Sequence, residues 1–211
     1  MYDALTYIAL LSGILPLSIL VLRYKSFLVK GHIMPFIYLT ATATAYEFFC
    51  SLLLNVNSSY WSQAYSLFEL CTIYYFYNKT FQRKYKSLFV LSFVVLVVTY
   101  CVSAFFWTST NSLLAKAINK LPITVFVLGF SFMWVKCLFR EMAIDALKNP
   151  STFYFITGLS IYYSITFLLF LFGYYIANSS DYFYDFWVIN IIATIILRIC
   201  LTVGVWKMEP N

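Results

Sequence analysis

The sequence predicts an all-α polytopic transmembrane bundle of about seven helices, and three observations predict it. Hydrophobic residues fill 63% of the 211 positions and charged residues only 10%, with a mean hydropathy of +0.82, far from the balance of a water-soluble chain. Several stretches run close to ~20 residues almost without charge, the length a helix rising about 1.5 Å per residue needs to cross roughly 30 Å of hydrocarbon. Lysines and arginines gather between alternate stretches, as they do in the cytoplasmic loops of membrane proteins.

The first span, about 4–23, starts Met1-Tyr2-Asp3-Ala4 without a basic leader or a small-residue cleavage site, so it is expected to remain as a helix. The second, about 34–54, ends in the polar run Asn55 to Ser59, and the third covers about 60–78. The fourth, about 87–107, is apolar on every face apart from small polar residues such as Ser92, Thr99 and Ser103, which excludes the alternation of a membrane barrel strand. Pro122 suits the first turn of a fifth span, about 122–139, leaving 112–121 as a short interfacial helix; alternatively it kinks one longer helix. Asn149-Pro150 offers a cap and an opening proline for the sixth span, about 152–176, and the seventh covers about 186–206. Together they make residues 1–211 a single transmembrane domain with no room for a soluble one.

Orientation follows from the basic residues. Arg23, Lys25 and Lys30 fall in the first loop, Lys79, Arg83, Lys84 and Lys86 in the third, Lys136, Arg140 and Lys148 in the fifth, and Lys207 in the tail. Only Lys116 and Lys120 fall on the other side, with Asp3, Asp181 and Asp185, so the N-terminus is expected outside and the C-terminus in the cytoplasm. The formal charge of +6 then expresses this bias and attraction to anionic lipid, and not a nucleic-acid surface. Tyr60, Trp61, Trp107, Tyr174, Tyr175, Tyr182, Tyr184 and Trp187 are expected as outer interfacial anchors, with Tyr24, Tyr77, Tyr85, Trp134 and Trp206 as inner ones. Cys50, Cys71, Cys101, Cys137 and Cys200 lie in or at the ends of spans without Cys-x-x-Cys spacing and read as packing residues.

The informative residues are charges left inside hydrocarbon, where each costs on the order of 3 kcal/mol. Glu47 on the second span, Glu69 on the third and Arg198 on the seventh are placed to meet at one depth, and the guanidinium is expected to contact Glu47 or Glu69. Weaker polar groups surround them: Thr40, Thr42 and Thr44 on the second span, Gln63, Tyr65 and Ser66 on the third, and Asn190 two turns outward from Arg198. The set Glu47, Glu69, Arg198, Asn190, Thr44, Tyr65 and Gln63 is therefore the candidate site: a ligand or ion pocket, a proton relay, or polar glue between helices.

Much familiar chemistry is excluded. The single histidine, His32, lies in a loop, which removes His-rich zinc hydrolases, His-Glu-x-x-His proteases and a Ser-His-Asp triad. The seventh span has no lysine for a retinal Schiff base, and Gly-rich phosphate loops are absent, so an intramembrane enzyme is disfavoured as a third alternative and no cofactor or metal is expected. Tyr46-Glu47 and Phe68-Glu69 on adjacent helices, the Asn-rich turn between them and the basic stretch after Tyr77 resemble a group of small seven-span inner-membrane proteins of Bacteroidota. The resemblance implies a multi-pass protein of the inner (plasma) membrane and brings no activity with it.

Two function classes remain. One is a sensor or partner module that recognises a ligand or partner within the bundle and passes the change through its basic loops to a membrane or cytoplasmic protein. The other is a small-solute transporter in which helices 1–3 and 5–7 are parallel repeats around a linker, as in sugar-exporting SWEET proteins. Pro16 and Pro122 in corresponding places favour transport, and the missing Pro-Gln pair and internal repeat argue against it.

Overall fold

The computed structural model describes residues 2–24, 31–54, 56, 59–81, 84–108, 112–140, 150–179 and 183–208. Among them every regular element is a helix: α1 (Tyr2–Ser12), α2 (Leu15–Tyr24), α3 (Met34–Tyr46) continued by a π-helical segment (Glu47–Leu53), α4 (Ser59–Thr80), α5 (Lys86–Phe105), α6 (Ser112–Arg140), α7 (Pro150–Ser179) and α8 (Phe183–Trp206). Five stretches are long and apolar enough to cross a membrane: Leu5–Arg23, Lys86–Phe105, Leu113–Arg140, Pro150–Gly173 and Trp187–Trp206. The protein is thus an all-helical membrane protein. Asn149, and the side chains of Asp3, Tyr24, Lys25, Lys30, Arg83, Lys148, Tyr174, Tyr175, Asp181, Tyr182, Tyr184 and Asp185, lie outside what is described.

Three helices depart from regularity, each for a local reason. The first span is broken between α1 and α2, where the Gly13 and Ile14 amides donate only three residues back, to Leu10 (3.1 Å) and Leu11 (3.3 Å). Pro16 has no amide hydrogen and crowds the carbonyl four residues earlier, at Ser12, which ends α1 there. After Tyr46 the backbone widens, so that the Leu54 amide reaches the Phe49 carbonyl (3.2 Å), five residues back; such π segments are uncommon and frequent at functional sites.

The third departure corrects an expectation. α6 runs unbroken from Ser112 to Arg140 with Pro122 inside it, so the fifth span does not begin at Pro122 and 112–121 is not a separate interfacial helix. Pro122 leaves the Ile118 carbonyl without its usual amide donor, and side-chain contacts flank the proline on both sides. Here the Thr124 hydroxyl donates to the Lys120 carbonyl (2.8 Å), and the Lys120 side chain is anchored in the bundle.

α8 packs against α7 on one side and α1 and α2 on the other; α6 continues from α7 to α5 and α4, and α3 bridges α2 and α4. The α7–α8 seam is close because two glycines admit it: a Cβ on Gly158 would meet Cys200 Cβ at 2.6 Å, and one on Gly204 would overlap the Phe155 ring. Between α4, α5 and α6 the core is aromatic, with Phe89 stacked on Phe130 (4.3 Å between ring centres) and Phe126 tilted against Phe130 (4.6 Å). Tyr77 belongs to this core and not to the inner interfacial belt: it is fully buried and its hydroxyl lies 2.7 Å from Ser131 Oγ. The outer face of α5, including Leu91, Val94, Val98 and Phe105, is left uncovered, as lipid contact requires.

Candidate functional site

At the centre of the bundle Glu69 of α4 is 2% exposed and fully partnered. Lys120 of α6 places its Nζ 2.5 Å from Glu69 Oε1 and 2.6 Å from Oε2, and Tyr163 of α7 donates its hydroxyl to Oε1 at 2.8 Å. The Lys120 ammonium is also ringed by Tyr162, Tyr163 and Phe170, with ring centres 5.8, 5.5 and 5.5 Å away, where the negative ring faces supplement the carboxylate. Three helices are tied at one point.

The expected partner of Glu69 was Arg198, and here the structure differs. Lys120 is not an outward-lying loop cation but 8% exposed inside the bundle, and it takes the place assigned to the guanidinium. A buried carboxylate needs a counter-charge with spare donors, and an ammonium reaching inward from α6 meets both oxygens at once.

Arg198 instead points toward α3 and the α1–α2 break. Its Nη2 donates to Thr44 Oγ1 (3.3 Å), and the Thr44 hydroxyl in turn donates to the Thr40 carbonyl (2.9 Å). A Cβ on Gly13 would strike the Thr44 hydroxyl and lie 2.9 Å from Arg198 Cζ, so the absent side chain at Gly13 makes room for the guanidinium. The carbonyl end of a helix also favours a cation, and α1 ends at this point.

Arg198 and Glu47 feel each other's charge, as do Glu47 and Lys116. Among the described residues, however, no ion pair joins Arg198 to either carboxylate. The expected contact of Arg198 with Glu47 or Glu69 is therefore replaced by a hydroxyl contact on α3.

Between α1, α3, α4, α7 and α8 lies a cavity of about 250 Å³. Its lining runs along α8 from Trp187 to Arg198, roughly 16 Å along the axis. Glu47, Tyr65, Glu69, Asn190 and Arg198 all line it; Thr44 stands behind Arg198, and Gln63 is outside the lining. The Gln63 backbone carbonyl serves another purpose, accepting from the Tyr100 hydroxyl at 3.4 Å.

Sequence reasoning passed over Tyr162, which lines the cavity, and Lys120 and Tyr163, which hold the Glu69 carboxylate. One signal pointed to Lys120: two carboxylates inside hydrocarbon against a single guanidinium leave one negative charge without a counter-ion, and the two outer lysines were the remaining candidates.

Comparison with protein-family models, curated proteins and solved structures gives no match.

Proposed function

We propose that this chain is a seven-span membrane sensor module, N-terminus outside and C-terminus in the cytoplasm, that recognises a small polar ligand in the cavity between α1, α3, α4, α7 and α8. The observation that carries the reading is the contrast between its two intramembrane cations. Lys120 is saturated by a carboxylate and three rings, whereas Arg198, with five N–H donors, gives one side-chain hydrogen bond among the described residues, to a neutral hydroxyl, and lines an open cavity. A cation merely gluing helices would be spent on protein acceptors; one kept free at a cavity wall is available to a guest.

The reading places α3 with its π segment, and α4, as full spans alongside the five apolar ones, of which α1–α2 is the first, and the inner membrane as the location, in keeping with the resemblance to small seven-span proteins. The cavity approaches the end of the bundle where α1 and α8 begin, the outer end in this orientation. Ligand-linked movement of α8, which contacts α1, α2 and α7, would reach a membrane or cytoplasmic partner through the basic loops.

Transport is the second reading. It is favoured by the break at Gly13 and the π segment, because discontinuous helices at a midplane site are characteristic of carriers. Labelling separates the two readings. In a background with the five native cysteines replaced by alanine, Thr194→Cys, in the cavity wall, should react with an impermeant thiol reagent from the outer side only. Reaction from both sides identifies a carrier; no reaction from either side removes the cavity and the proposal with it.

A further inference from the structure

We propose that the ligand of this cavity is a small zwitterion of the α-amino-acid class, its carboxylate held by Arg198 and its ammonium by Glu47 and Asn190. The inference rests on the sensor reading and specifies its ligand.

Three groups in one cavity each lack a complement. Arg198 is a fork of N–H donors with no carboxylate paired to it among the described residues, and such a fork matches a carboxylate through two parallel hydrogen bonds. Glu47 is a carboxylate without an ion-pair partner among those residues, yet it is close enough to Arg198 to feel its charge. Asn190 Oδ1 is buried and has no hydrogen-bond partner among the described residues, a state that costs about 1–3 kcal/mol unless a donor arrives.

The missing complements are thus one carboxylate and one multi-donor cation within a single cavity. An ammonium supplies three N–H donors with no acceptor, enough for Glu47 and Asn190 together. A simple anion would satisfy Arg198 and leave Glu47 without an ion-pair partner and Asn190 Oδ1 without a donor among the described residues; a simple amine would leave the guanidinium open. Only a molecule bearing both charges closes all three.

Size and lining limit the rest of the molecule. About 250 Å³ is below the roughly 300–1,000 Å³ of pockets for drug-sized ligands, so the guest is a metabolite. Leu10, Phe36, Ile191 and Leu197 also line the cavity and offer an apolar wall to a hydrocarbon side chain. Glu69, although in the wall, is saturated by Lys120 and Tyr163 and is left to shape the site.

Calorimetric titration of the full chain in lipid nanodiscs tests this with glycine, L-leucine and L-phenylalanine, each beside its decarboxylated amine and its deaminated acid. At least one amino acid should bind, and its amine and acid should bind at least about tenfold more weakly, a loss of about 1.4 kcal/mol each. Glu47→Gln should reduce the amino acid to the affinity of the acid; if that variant does not fold, Asn190→Leu reports on the same ammonium. Equal binding of acid and amino acid, or of amine and amino acid, overturns the zwitterion and leaves the sensor reading in place. Failure of all three amino acids overturns it too, and only an unreactive Thr194→Cys removes the cavity reading as well.

Discussion

Replacing Lys120 by Met strands the Glu69 carboxylate among Tyr163, Tyr162 and the walls of α6 and α7. Removing one partner of a buried pair costs roughly 3–5 kcal/mol, whereas removing both can be nearly neutral. Lys120→Met and Glu69→Gln should therefore each lower the melting temperature strongly, and the double variant should recover most of the loss; simple addition of the two losses would show the pair to be uncoupled. Arg198→Gln should cost far less stability, because its side-chain hydrogen bond among the described residues goes to the Thr44 hydroxyl and a neutral amide can replace it; a loss equal to that of Lys120→Met would contradict the division of roles between the two cations. Glu47, Glu69 and Arg198 were legible from the sequence as charges at one depth in apolar spans, with Tyr65 and Asn190 as polar groups near them. Their pairing was not: depth along a helix can be counted from residues, but the direction a side chain faces depends on how the helices are rotated in the bundle, and that is set by packing.

At the scale of elements, glycines separate close seams from open faces. Gly204→Ala drives a methyl into the Phe155 ring and should cost about 1–3 kcal/mol as overpacking. Gly129→Ala, on a face of α6 with nothing within 4 Å of the new Cβ, should be neutral or stabilise by about 0.5–1 kcal/mol through helix propensity. Thermal melts of the two in one detergent test the contrast, and equal effects would contradict the seam. Gly13→Ala should destabilise by displacing Thr44 and Arg198, and Thr44→Ala in the same chain should restore part of the loss by removing the hydroxyl in the way. The run of apolar residues announced each helix plainly, but not its irregularities. Pro122 was read as a start because proline suits a first turn; the helix instead extends before it to Ser112, and Lys120 on that extension is tied to Glu69 inside the bundle. The π segment had no signal of its own, since Glu47 to Leu53 reads as ordinary helix.

For the molecule as a whole, the basic residues give an orientation that labelling can check. In the same cysteine-free background, Ser58→Cys or Ser180→Cys should react with an impermeant reagent on intact cells, whereas Ser26→Cys or Lys84→Cys should not; the opposite pattern would reverse the topology. The structure sharpens this expectation, because Lys120 is withdrawn into the bundle as the partner of Glu69, which leaves Lys116 alone against eleven cations on the other side.

The Glu69–Lys120 pair also has a consequence in time. Glu69 leaves the ribosome 51 residues before Lys120, and its helix, α4, is among those that do not reach the hydropathy of a span by themselves. A nascent chain that has made α4 but not yet α6 carries an uncompensated carboxylate into the translocation machinery, so α4 is expected to wait at the lateral gate, or beside a chaperone, until α6 arrives. Synthesis order, and not only final geometry, thereby makes α4 and α6 enter the bilayer as a unit.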